Sequence, residues 1–250
     1  MFKALKTRIH QGYQAIPDIK KAVINEQFRG LPLINKENCI NCGKCISACP
    51  TAAINENLSI DMGKCTFCGD CERICPENVI KFTNFHKIAS SSREHLIVNS
   101  EINENNYRTD AIKASKQIKK LFGRSLKLRQ VSAGGCNGCE MELNACSNVN
   151  FDMGRFGIEF VASPRHADGI LITGPITQNM AFAVEDAYLS VPDPKIIILT
   201  GACAISGGVF GNSDALNREF IEKYKIDLYI PGCPVHPLTV INGILDFLIL

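Results

Sequence analysis

The chain has 250 residues, 46% hydrophobic and 21% charged, and 27 basic against 25 acidic side chains give it a net charge of +2. It exceeds the common domain of about 100 to 150 residues, so two domains are expected, and its composition excludes wholesale disorder. The near balance of charge excludes a surface given over to nucleic acid or to an anionic membrane, leaving only local patches for such contacts.

Thirteen cysteines stand out. The opening MFKALKTRIHQGYQ lacks the apolar centre and cleavage site of a secretory signal, and no apolar run reaches the roughly 18 to 20 residues of a membrane span. The expected setting is the cytoplasm, where thiols stay reduced and serve metals or redox chemistry. Within residues 1–35, Phe2, Leu5, Ile9 and Tyr13 recur at near-helical spacing between Lys3, Lys6 and Arg8. That pattern predicts a basic amphipathic helix, which either packs on the protein's own surface or docks on a partner or a membrane surface.

An internal repeat follows. Residues 39–49 read CINCGKCISAC and residues 65–75 read CTFCGDCERIC, so Cys39, Cys42, Cys45 and Cys49 recur as Cys65, Cys68, Cys71 and Cys75 at a constant offset of 26. Gly43 and Gly69, Pro50 and Pro76, and Ile54 and Ile80 keep the same offset, which marks a duplicated unit of short strands and turns. In the spacing C-x2-C-x2-C-x3-C-P, three thiolates hold one cubane and the fourth serves the other. One [4Fe-4S] cluster is therefore assigned to Cys39, Cys42, Cys45 and Cys75, and a second to Cys49, Cys65, Cys68 and Cys71. Zinc is the competing reading, but zinc motifs space two C-x2-C pairs a dozen or more residues apart. Residues 36–82 resemble a bacterial-type ferredoxin with two [4Fe-4S] clusters, and the resemblance implies an α+β ferredoxin-like domain.

After Ile80 the chain turns polar, with SSSR and NSEINENNY, so a linker and helix are expected over residues 83–120, with the boundary near residues 83–108. The linker leads into the predicted helix, TDAIKASKQIKKLFG, in which Ala111, Ile112, Ile118, Leu121 and Phe122 lie among lysines. Lys113 to Arg129 holds seven basic residues and no acidic one, a solvated face or one turned to an acidic partner.

From residue 121 to 250 the pattern becomes α/β. Strands are expected at LKLRQVS, IEFVAS, ADGILITG, KIIILTG and IDLYIPG, with a helix in NMAFAVEDAYLS, because short apolar runs between Gly and Pro mark buried parallel strands. Ligands of such sheets bind beyond the carboxyl ends of the strands. Cys136 and Cys139 follow the first strand, Cys203 the fourth and Cys233 the fifth, so the strand ends deliver four thiolates for a third cluster. Gly134, Gly135, Gly138, Gly201 and Gly232 permit tight turns that bring amide N–H groups to cluster sulfurs. A thioredoxin-like redox pair is the alternative for CNGC. Cys146 is left over as a small buried hydrophobe.

The stretches LFGRSLKLRQVSAGGCNGCEMELNA, RFGIEFVASPRHADGILITGP and PGCP together resemble the small subunit of membrane-bound, energy-converting [NiFe] hydrogenases of the formate hydrogenlyase type, which is homologous to the 20 kDa subunit of complex I. The resemblance implies a flavodoxin-like domain with a mostly parallel sheet. It also implies an oxidoreductase subunit that carries electrons and leaves the nickel–iron site to a separate large subunit. Membrane-embedded partner subunits would hold it peripherally at the membrane, with ferredoxin or a formate dehydrogenase as electron donor or acceptor. In complex I the motif begins with adjacent cysteines, whereas Cys136 and Cys139 stand three positions apart, as on the hydrogenase side. The ferredoxin-like part, a separate chain in such complexes, is fused here. Where the family commonly has Pro-Arg-Pro after PGCP, this chain has Val235, His236 and Pro237. Glu140 is a candidate proton relay or an ordinary helix N-terminal acid, and His166 a candidate interface or proton-path residue or a structural histidine. Two other readings stay open: a complex I-like subunit whose partner has lost nickel, and a soluble iron–sulfur redox sensor.

Overall fold

The computed structural model describes residues 2–110, 122 and 125–248. Most of the TDAIKASKQIKKLFG segment and of the basic run from Lys113 lies outside the described residues. The first helix, α1 (Phe2–Gln11), ends at Gly12, whose φ of 70° and N–H to the Arg8 carbonyl (3.2 Å) close the last turn. Tyr13 falls beyond that end. An irregular segment then leads to β1 (Pro32–Ile34), α2 (Lys44–Ser47), β2 (Ile60–Asp61), α3 (Asp70–Ile74), β3 (Ile80–Phe82) and β4 (Ile97–Val98). β1 and β3 pair antiparallel with Ile34 opposite Ile80, bringing the two ends of the repeat together. β2 pairs with β4, and the bridge from Ile54 to Ile60 folds the middle of the repeat back. Leu31, Ile60, Met62 and Ile80 fill the centre of this N-terminal part, with Cys45, Cys65 and Cys71 buried among them.

After α4 (Glu104–Asp110), the C-terminal part builds a five-stranded parallel sheet from β5 (Leu126–Ser132), β6 (Ile158–Phe160), β7 (Gly169–Thr173), β8 (Ile196–Thr200) and β9 (Leu228–Ile230). The order across the sheet is β6-β5-β7-β8-β9. The connecting helices are α5 (Gly138–Cys146), α6 (Gln178–Leu189), α7 (Ala202–Ser206), α8 (Glu219–Lys223) and, last, α9 (Pro237–Leu248). All five residues of β7 and of β8 are buried, as strands covered on both faces must be. Period-two alternation divides them: Ile170, Ile172, Ile197 and Leu199 face one core, while Leu171, Ile196 and Ile198 face the other with α9. The α9 sequence, PLTVINGILDFL, is apolar nearly all round and accordingly lies buried along almost its whole length.

The two parts are sewn together by residues 83–110, whose polar composition suggested a linker. Ile88, Leu96, Val98 and Tyr107 are buried, and the Tyr107 hydroxyl donates to the Ile88 carbonyl at 2.8 Å. Ser90 exchanges backbone bonds with Tyr229 (2.9 and 2.8 Å), so this segment covers the β9 edge of the sheet. Arg93 clamps Asp61 with two hydrogen bonds of 2.8 and 2.6 Å, fixing the same segment to the N-terminal part. Periodicity could not reveal this, since each anchor is a single residue in an irregular stretch.

Candidate metal centres

The turns of the repeat set out the thiols by an unusual backbone. Asn41 and Phe67, then Ala52 and Asn78, are pairs at the offset of 26, and all four non-glycine residues adopt positive φ between 48° and 54°. Such conformations cost on the order of 1–3 kcal/mol each and persist only where the surroundings enforce them. Their effect is to turn amides onto sulfur. Asn41 N–H donates to Cys39 Sγ (3.3 Å) and Phe67 N–H to Cys65 Sγ (3.3 Å). Ala53 N–H donates to Cys49 Sγ (3.2 Å) and Val79 N–H to Cys75 Sγ (3.4 Å).

The cysteines sort into crossed groups. Cys39, Cys42, Cys45 and Cys75 line one cavity of about 220 Å³, closed by Ile46, Leu58 and Val79. Cys49, Cys65, Cys68 and Cys71 line a much tighter one of about 20 Å³, walled by Ile54, Ile60 and Phe82. Burial first, and then neighbouring thiols, Cys49 among them, push the Cys65 thiol up to about 12 and Cys71 to about 11. Cys45 is raised for the same reasons, by burial first and then by Cys75 and Cys39. Thiols held this way stay protonated and inert until a metal supplies positive charge.

A third group forms at the carboxyl ends of β5, β8 and β9. Burial carries Cys139 to about 12 and Cys203 to about 11; Cys203 and Cys233 add to the rise at Cys139, and Cys233 and Cys136 to that at Cys203. Cys136 and Cys233 are exposed, so this group opens to the surface. The strand end at Gly201 (φ 91°) passes so close that a Cβ there would lie 2.6 Å from Cys139 Sγ, which only glycine allows. Cys233 also feels Cys68 of the second group. Between these groups lies a cavity of about 270 Å³ lined by Phe28, Arg29, Phe67, Cys233 and His236 among others. Arg29 Nε donates to the Phe67 carbonyl (2.6 Å) across it.

Arg218, for which the sequence offered no signal, secures the third group. Its guanidinium donates to the carbonyls of Pro175 (2.8 Å), Cys203 (3.4 Å), Ala204 (2.8 Å) and Ile205 (2.9 Å), holding α7 from its C-terminal side. All four acceptors are backbone, which is why no side-chain pattern could announce them. Glu140 is buried beside the group, where Oε1 accepts hydrogen bonds from Ser132 and Thr173 hydroxyls, both at 2.6 Å. His166 is exposed before the amino end of β7, at the opposite end of the sheet. Cys146 is buried in α5 with its thiol donating to the Glu142 carbonyl (3.3 Å). His236 is packed edge-on between the rings of Phe28 and Phe151, and its Nδ1 accepts the Leu238 N–H (3.1 Å).

Each of the three groups offers four thiols, with two amide donors on sulfur in each of the first two and the Val235 amide at Cys139 in the third, and this donor set fits a [4Fe-4S] cluster. Among the described residues no three His, Cys, Asp or Glu side chains close around one ion position. Thiols that each hold a different iron of a cubane are spaced more widely than the ligands of a single zinc.

A parallel α/β sheet bearing thiols at its strand ends, docked to a duplicated cysteine unit, defines an iron–sulfur electron-transfer subunit of an oxidoreductase. The family described as NADH ubiquinone oxidoreductase, 20 Kd subunit, matches residues 136–247, and the 4Fe-4S dicluster domain matches residues 31–76. A probable membrane-bound hydrogenase subunit, mbhJ, of Pyrococcus furiosus is 39% identical over 140 residues, covering 56% of this chain and 84% of that protein. Formate hydrogenlyase subunit 7 of Escherichia coli is 44% identical over 133 residues, 53% of this chain and 51% of its own. An NADH-quinone oxidoreductase subunit of Citrifermentans bemidjiense is 41% identical over 107 residues, 43% and 62% of the two chains. The chain belongs to the 20 kDa subunit family of NADH ubiquinone oxidoreductase and its hydrogenase relatives, with a dicluster domain placed ahead of it.

Proposed function

We propose that this chain is the electron relay of a membrane-associated [NiFe] hydrogenase of the formate hydrogenlyase type. Its cysteines would hold three [4Fe-4S] clusters, which supply one-electron carriers when bound. Cys39, Cys42, Cys45 and Cys75 hold the outer one, Cys49, Cys65, Cys68 and Cys71 the middle one, and Cys136, Cys139, Cys203 and Cys233 the last. The observation that carries this order is the cavity of about 270 Å³ lined both by Phe67, next to Cys68 of the second group, and by Cys233 of the third. The sheet order β6-β5-β7-β8-β9, read in chain order as 2-1-3-4-5, supports a flavodoxin-like C-terminal domain over residues 121–250. The exposed Cys136 and Cys233 turn the third group to a large subunit, which holds the nickel. Glu140, whose Oε1 accepts from the Ser132 and Thr173 hydroxyls next to Cys139, would be the proton relay toward that partner.

Supporting the hydrogenase reading are the C-x2-C spacing of Cys136 and Cys139 and the coverage of 84% of the Pyrococcus hydrogenase subunit. The 41% identity to a quinone oxidoreductase subunit favours a second reading, a nickel-free complex I-like assembly. Purification of the complex through this chain tests both. Stoichiometric nickel and hydrogen-dependent dye reduction are expected; a complex with full iron, no nickel and quinone reductase activity would establish the second reading. Iron analysis of the chain should give about twelve atoms per chain, and eight would remove the third cluster.

A further inference from the structure

We infer that α1 is a membrane-surface anchor that lays the chain on anionic lipid headgroups directly, in addition to any hold supplied by partner subunits. Its basis is independent of the electron-relay reading. Every residue of α1 is exposed, and none is buried against the rest of the described chain. Phe2 is 79%, Leu5 59% and Ile9 74% exposed, a high degree for large apolar side chains on one helix. At about 100° per residue these three fall within an arc of about 60°. Lys6 and Arg8 flank that arc on its two sides, with Lys3 and His10 beyond Lys6, and no acidic residue occurs before Asp18.

A narrow apolar stripe bordered by cations is the arrangement that beds a helix at the boundary of headgroups and acyl chains. The apolar side chains enter the boundary while the lysines and the arginine reach outward to phosphate. An acidic protein groove would satisfy the cations but not an apolar stripe projecting from a helix with no flanking wall of its own. Hydrophobic contact alone would leave the cations without a role.

The root of the helix is fixed. Gln14 Nε2 donates to Asp152 Oδ2 (2.8 Å), Arg155 Nη2 donates to the Ile16 carbonyl (2.7 Å), and Ile19 is buried beneath α9, where Asn242 Nδ2 donates to its carbonyl (3.2 Å). Docking of α1 would therefore bring the body of the molecule to the membrane, in the manner of a short rigid strut rather than a long tether.

The test uses the full chain with its clusters and vesicles of either pure phosphatidylcholine or equal parts phosphatidylcholine and phosphatidylglycerol. Flotation with the anionic vesicles and none with the neutral ones is expected, weakening as salt is raised. Lys3→Gln, Lys6→Gln and Arg8→Gln combined should weaken partitioning roughly a hundredfold, since each cation near such a surface contributes a factor of about five. Leu5→Asp with Ile9→Asp should abolish flotation while leaving iron content and the visible spectrum unchanged, because these side chains touch nothing inside. No flotation of the parent chain would overturn the proposal, as would equal flotation of parent and variants. Flotation unchanged by Leu5→Asp and Ile9→Asp together with loss of a co-purifying subunit would assign α1 to a protein partner instead.

Discussion

Cys49 and Cys75 sit at the ends of their own motifs yet line the cavity of the opposite group. A serine at either position should therefore mark the cluster of the other half. Cys49→Ser is expected to alter the same electron paramagnetic resonance signal as Cys65→Ser, and Cys75→Ser the same one as Cys39→Ser; the reverse pairing would show each motif to be self-contained. Arg218 is a third residue whose effect is specific. Its charge stands near Cys203 and favours the added electron of a reduced cluster. Arg218→Met should lower the reduction potential of the third cluster in a redox titration and leave the other two unchanged. Arg218→Lys should keep most of the potential, because it keeps the charge. Both variants should unfold more readily, by about 2–4 kcal/mol for Met, as buried carbonyls lose their donors.

At the scale of elements, the strand ends decide where chemistry can occur. β8 is fully buried and then turns at Gly201 directly over Cys139 Sγ. Gly201→Ala places a methyl group 2.6 Å from Cys139 Sγ and forces an unfavourable φ, so loss of the third cluster alone is expected, with iron falling from about twelve to about eight. Unchanged iron would mean that the loop yields. In the repeat, by contrast, side-chain-bearing residues adopt the left-handed conformation at Asn41, Phe67, Ala52 and Asn78. The difference follows from space: at Gly201 a Cβ would meet Cys139 Sγ at 2.6 Å, whereas the Asn41 side chain has room beside Cys39 Sγ and Phe67 packs on Phe82.

For the whole molecule, His86 reports on how the parts are held. It is buried, with Nε2 3.5 Å from Asn242 Nδ2 of α9, and burial together with Lys87 and His236 depresses it to about 4. The folded state then binds fewer protons than the unfolded chain between about pH 6.5 and 4. Its contribution is complete above the unfolded value near 6.5 and is lost as pH falls toward 4, up to about 3 kcal/mol. Denaturant midpoints at pH 7 and 4.5 should converge in His86→Gln; an unchanged difference would place the acid sensitivity elsewhere. The five strands were legible because Gly or Pro stands beside each apolar run, whereas the sharing of Cys49 and Cys75 between the two cysteine groups is a proposal drawn from spacing. Arg218, the Ser90–Tyr229 bridge and the burial of Tyr107 were not legible, since each depends on backbone partners distant in sequence.

The exchange of Cys49 and Cys75 has a consequence for descent as well as for chemistry. With the ligands shared as proposed above, neither copy of the duplication could be discarded, shortened or shifted by itself without depriving both sites of a full set of four thiols. The pair would then be inherited, transferred or lost as a single unit. A chain that acquired it by fusion could thus gain two carriers in one event, and could not afterwards pare them down to one by deletion alone.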